Sequence, residues 1–144
     1  MKAVTWALLI IIGILLASFF VFIRPAFLRS VLRDQARDIA QYVAGQISFM
    51  ARMADQGVIE GWRSFRVDAG SNKLVEIVVT YDSNAKGGSV IVRVTSENVY
   101  GQASANYTSY YLVRAPPKIY QGDIIISFNS TSAVITLANI RSRS

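Results

Sequence analysis

Asp68, Glu76, Asp82 and Glu97 are the carboxylates best placed for acid–base chemistry. Each falls at a turn or on the solvent side of an expected strand, with no partner group around it. The 144 residues contain no His and no Cys. That composition removes the commonest general base, thiol nucleophiles, disulfides and Cys-based zinc sites. Asp82-Ser83-Asn84 resembles the opening of a calcium loop, but Lys86 and Arg93 stand at its fifth and twelfth positions, where acidic ligands are required. It reads instead as a hairpin connection. No catalytic, cofactor-binding or metal-binding residue is assigned, no cofactor is expected, and a structural role leads over an enzymatic one.

The elements that would position any site are set by an apolar composition. Hydrophobic residues make up 52% of the chain and charged residues 17%, against a usual ~25% charged. Mean hydropathy is +0.34. The net charge of +6 is shared evenly, with Lys and Arg exceeding acids by three in residues 1–58 and by three in residues 59–144. No basic run occurs, so the electrostatic footprint of a nucleic-acid binder is missing and nucleic acid is not an expected partner.

From Ala3 to Ile23 the chain carries 21 residues without a charge. As a helix this run spans ~30 Å, the thickness of a bilayer core. A secretory h-region is shorter, and Arg24-Pro25 follows here in place of a small-residue cleavage site, so the segment is expected to stay in the mature chain. Leu8, Ile12, Leu15 and Phe19 recur on one face of this helix. Beyond Pro25 the helical period resumes at Leu28, Leu32, Ala36, Ile39, Val43, Ile47, Met50 and Ala54. Asp34 is spaced to pair with Arg37. Ala36, Ala40, Ala44 and Ser48 form a small-residue row at i,i+4, the spacing that lets helix backbones approach closely. Gly57 suits a C-cap. Residues 1–57 thus read as one long helix with two interpretations: a helix lying on its own domain's sheet, or a helix packing against copies of itself.

After Gly61 the period changes to two. Expected strands lie at 65–67, 75–81, 90–95, 107–114, 123–128 and 133–140, separated by Gly, Pro, Asn and Ser turns. Residues 58–144 therefore read as a small antiparallel, Ig-like β-sandwich, and the whole chain as α+β. Tyr107 and Tyr111 share one strand face and Tyr110 takes the other. Two acceptor sequons, at Asn106 and Asn129, favour an exterior location for this half and are its glycosylation candidates. Arg24, Arg29, Arg33 and Arg37 pull the other way: they follow the apolar run, and charge bias alone would hold them on the cytoplasmic side.

An apolar helix continuing into an amphipathic one, then a compact β domain, resembles a type IV pilin. Lys2-Ala3-Val4-Thr5 resembles a class III prepilin processing signal, with Ala3 and Val4 at the possible cleavage point; the alternative mature start is Met1. The Glu that bacterial pilins place five residues into the apolar run is missing, as is their C-terminal Cys pair, so the likeness is better to archaeal adhesion-type pilins. The resemblance implies a homopolymeric extracellular filament on the cell surface, for adhesion or cell contact. In it, helices bundle through Leu8, Ile12, Leu15, Phe19, Leu28, Leu32, Ala36, Ile39, Ala40, Val43, Ala44, Ile47 and Met50. It also implies a membrane-inserted state before assembly, and a separate assembly ATPase and membrane platform as partners. The alternative is a single-span membrane protein with an exterior β-sandwich, similar to archaellum stator-type components.

Overall fold

The computed structural model describes residues 2–140. One helix runs from Lys2 to Asp55, made of α1 (Lys2–Ser18), a π-helical turn (Phe19–Ile23) and α2 (Arg24–Asp55). Pro25 has no N–H to donate and its ring crowds the carbonyl one turn back. The chain absorbs this by widening the preceding turn, where the Arg24 N–H reaches back five residues to the Phe19 carbonyl. The helix therefore continues through the proline. It ends in a Schellman motif: Gly57 has φ +91°, its N–H donates to the Ala54 carbonyl and that of Val58 to the Met53 carbonyl.

Among the described residues eight strands follow: β1 (Glu60–Val67), β2 (Leu74–Val79), β3 (Gly87–Ser96), β4 (Val99–Thr108), β5 (Leu112–Arg114), β6 (Ile119–Tyr120), β7 (Gly122–Asn129) and β8 (Val134–Ile140). They form two packed four-stranded sheets, ordered β1-β7-β8-β5 and β4-β3-β2-β6. The α+β architecture is the one the sequence pattern implies. Pairing is antiparallel except between β5 and β8, which run parallel.

Three segments depart from expectation, one of them the two-residue β6, which no alternation marks. The segment expected as one strand over 107–114 is broken after Thr108. There the buried Ser109 hydroxyl donates to the Tyr111 carbonyl and accepts the Tyr111 N–H, forming a turn. Val99–Thr108 is a full strand that alternation did not reveal, because its inward positions are the small residues Gly101, Ala103 and Ala105. Glu97 and Asn98, both at positive φ, close the two-residue β3–β4 hairpin as a type I′ turn.

The core explains why β4 is lined with small residues. α2 lies on the inner face of β4 and β3 and reaches β1 through an edge-to-face contact of Tyr42 with Phe65. The Arg63 guanidinium stacks over Phe49 alongside it. β1 and β4 are edge strands of their sheets, so the helix closes the open side of the sandwich between them. At Gly101 the approach is so close that a Cβ would collide with the backbone of Leu32 and Arg33. Leu32, Ala36, Ala40, Val43, Ala44, Ile47, Met50, Ala51 and Ala54 share one hydrophobic cluster with Val75, Ile77, Val92, Ile124, Ile126 and Leu137. A boundary between residues 57 and 58 therefore cuts a single core. The packed unit begins near Leu28, and residues before it project beyond the domain.

Candidate functional site: the uncovered apolar helix

The feature set apart from the folded domain is the helix from Lys2 to Ile23. Almost every side chain along it is exposed, and α1 has no buried residue. Leu8, Ile12, Leu15 and Phe19 are 54, 50, 64 and 49% exposed, and Ile11, Ile14 and Phe22 on other faces are as open. An apolar surface on every side of a helix needs lipid or protein around it, because water alone would meet ~25 cal/mol of unfavourable transfer free energy per Å². By length and composition, this is a helix able to cross a membrane. Val4 and Ala3 sit in its first turns, in ordinary helical backbone.

The remaining residues assigned to helix–helix packing lie elsewhere. Leu32, Ala36, Ala40, Val43, Ala44, Ile47 and Met50 are buried by the chain's own sheets, and Leu28 and Ile39 are half-buried against the same cluster. These seven buried side chains cannot touch a neighbouring copy while the domain is folded. The small-residue row serves close approach between α2 and the sheet surface carrying Gly101. Of the two interpretations that the periodicity left open, α2 takes the first and lies on its own domain's sheets, whereas the pilin resemblance implied packing against copies. The signal that could have found the right one is the row of small inward residues on β4, which matches the row on the helix. The exposed face of α2 carries Phe27, Arg37, Gln41, Tyr42, Gly45 and Arg52.

The carboxylates are engaged locally. Asp68 lies 3.9 Å from Arg66 and accepts the Gly70 N–H, Glu76 lies 3.7 Å from Lys118, and Glu97 lies 3.8 Å from Arg24. Asp82 accepts the Asn84 N–H at 3.0 Å, which makes the calcium-loop lookalike an ordinary turn between β2 and β3. The expected Asp34–Arg37 pair does not form; the ion pairs among the described residues are the three above. No group of three or more His, Cys, Asp or Glu suited to a metal ion occurs among the described residues.

Both sequons are exposed but differ in backbone. Asn106 lies within β4, two residues before its end and opposite Ser89, on the outward face. Asn129 ends β7, and its Oδ1 accepts the Thr131 N–H at 2.9 Å, so it heads a turn. The tyrosines fall on different sides although the strand expected to alternate them is broken at Ser109. Tyr107 is buried, Tyr110 is exposed, and Tyr111 packs edge-on against Phe128. The Tyr107 hydroxyl donates to the Thr80 carbonyl; burial first, and the nearby Tyr81 second, push its pKa up to about 12.

Comparison with family models, with curated proteins and with solved structures returns no match for this chain.

Proposed function

We propose that the chain is a structural subunit of a type IV pilus-like filament, not an enzyme, and that the helix of residues 2–23 is its assembly element. The supporting observation is the contrast in cover along one helix. Its C-terminal part is buried in its own β domain, whereas its N-terminal part is apolar on every side and exposed. An apolar N-terminal helix running into a β domain is a pilin-like shape, and it is also the shape of a membrane-anchored protein.

In this reading the helix waits in the membrane, drawn there by its hydrocarbon surface, and leaves it when neighbouring copies replace lipid around Leu8, Ile12, Leu15 and Phe19. Transfer between lipid and a protein core changes little in hydrophobic free energy, since both surround the helix with hydrocarbon. Close packing would then favour the bundle, and a separate ATPase and membrane platform would drive the transfer. The β domains would coat the outside of the extracellular filament and present its surface for adhesion or cell contact, with Asn106 and Asn129 as glycan acceptors.

Electron microscopy of material sheared from producing cells, with the constituent chain identified by intact mass, tests this. Thin uniform filaments built from this chain are the expected result, and the mass reports glycans and any processing at Ala3–Val4. A chain confined to the membrane fraction, with no filament containing it, overturns the filament and leaves the single-span envelope protein.

A further inference from the structure

The end of the domain that meets the apolar helix carries Arg24, Arg29 and Arg33, and it holds a cleft. The β3–β4 turn reaches this end, because Glu97 lies 3.8 Å from Arg24, the first residue after the apolar run. The β1–β2 loop reaches it too, since the Lys73 ammonium donates to Gln35 at 3.1 Å. Between α2 and the start of β4 opens a cleft of about 390 Å³ lined by Ala26, Arg29, Ser30, Arg33, Tyr100 and Gln102. A second hollow, bordered by Arg29, Asn98 and Tyr100, adjoins it.

Arg29 and Arg33 are one helical turn apart, so their guanidinium groups stand on one face. Both are exposed, and among the described residues neither is in an ion pair. The Arg93 guanidinium stacks 4.2 Å from the Tyr100 ring centroid and adds a third positive charge beside the cleft. Of the acids at this end, Glu97 and Asp68 each already lie beside an arginine, Glu76 stands opposite Arg93 and 3.7 Å from Lys118, and Asp34 follows Arg33 on the helix without lining the cleft. Two arginines thus line a hollow with no carboxylate in its lining, and a third stands beside it.

Position identifies the ligand. Arg29 lies six residues beyond Ile23 and Arg33 ten, which places their backbones ~9 and ~15 Å past the end of the apolar run. Polar headgroups extend ~5–8 Å beyond the hydrocarbon on each side of a bilayer. A long arginine side chain reaching back toward the membrane covers the difference. Guanidinium groups bind phosphate oxygens in a two-pronged fashion, and Tyr100 and Phe27 supply the aromatic surface that favours the same interfacial zone.

We propose that Arg29 and Arg33, with Asn98, Tyr100 and Gln102 around them, form a seat for the phosphate of a lipid headgroup in the leaflet next to the β domain. The seat gives the unassembled subunit a fixed depth and rotation, and it assigns a use to arginines that charge bias alone would hold in the cytoplasm. It rests on insertion of residues 2–23 into a bilayer, which the filament and the envelope-anchor readings share.

The full chain in detergent micelles is offered equal amounts of phosphatidylglycerol and of a diglucosyl lipid with matching tails, and retained lipid is read by native mass spectrometry. The wild type is expected to keep one phosphatidylglycerol in preference to the glycolipid, and R29Q/R33Q to keep about tenfold less, the size of a lost charge-assisted contact. R52Q/K86Q removes the same charge at the distant end and is expected to bind as the wild type does. R29K/R33K, which keeps charge and fold, should fall between. Equal retention by R29Q/R33Q, an equal loss in R52Q/K86Q, or displacement by millimolar inorganic phosphate overturns the lipid seat. Flotation of the wild type with phosphatidylglycerol vesicles separates the premise from the site: a chain that does not float fails at insertion, and one that floats but binds lipid regardless of Arg29 and Arg33 fails only here.

Discussion

Lys2–Ile23 and Arg24–Asp55 belong to one unbroken helix, yet they are covered in opposite ways. In the first, Val4 and Phe22 are 64 and 73% exposed; in the second, Leu32 and Ile47 are fully buried by the chain's own sheets. The first is apolar all round, and the second is apolar along a stripe with arginine and glutamine behind it. A helix apolar on every face cannot be satisfied by one sheet, whereas a stripe can. The uniformity of the first half therefore calls for cover on all sides, by lipid or by several copies. The stripe of the second half calls for one surface, and the β4–β3 face is that surface.

The sharpest way to break this contrast is to cut the helix at two places. A chain of residues 24–144 is expected to be soluble and to unfold cooperatively, because the whole hydrophobic cluster lies within it. A chain of residues 58–144 is expected to show no cooperative transition, since it loses nine buried helical residues and leaves the inner faces of β3 and β4 open. Circular dichroism during heating distinguishes them, and a cooperative melt from residues 58–144 would return α2 to the status of a separate stalk.

Single substitutions test the same contrast at smaller scale. Ile47→Ala leaves a cavity in the shared core and should destabilise the domain by about 2–5 kcal/mol in denaturant titrations. Ile12→Ala removes the same atoms from an exposed position and should leave the domain's unfolding midpoint unchanged while weakening association between copies. Next in size comes Ala40→Leu. Ala40 is fully buried on the stripe that faces the sheets, so the added atoms should cost about 1–3 kcal/mol of domain stability. A variant that folds normally but fails only in assembly would instead place the small-residue row between subunits.

Periodicity made the helix legible over nearly its full length, and with it the α+β class, most of the strands and the Gly57 cap. It could not say what the α2 stripe rests on, because Leu32, Ala36 and Ile47 make the same pattern whether they meet a sheet or another helix. β4 was hidden for a related reason. Its inward residues Gly101, Ala103 and Ala105 are too small to register as a hydrophobic alternation, and they are small because the helix comes so near. Pro25 was legible as a disturbance, but whether the helix kinks, restarts or widens depends on hydrogen bonds one turn earlier. The basic cleft escaped as well. Arg29 and Arg33 are visible on the helix, but Tyr100 joins them only through the β3–β4 hairpin.

Alkaline pH should sharpen the comparison by acting on the domain and not on the apolar helix. Tyr107 is buried near the end of β4, the strand on which α2 lies, and its pKa stands at about 12 against an ordinary 10.0. Unfolded chains lose this proton first, so between pH 10 and 12 the unfolded state binds fewer protons than the folded one and stability falls as pH rises. At pH 11 the loss from this group is about 1 kcal/mol. Tyr107→Phe should start lower, by about 1 kcal/mol for the missing hydrogen bond to the Thr80 carbonyl, and then decline less steeply through this range. The run of residues 3–23 holds no titratable side chain, and its helicity in micelles should hold level across the same pH values. Equal alkaline slopes for the wild type and Tyr107→Phe would remove the buried hydroxyl as the cause.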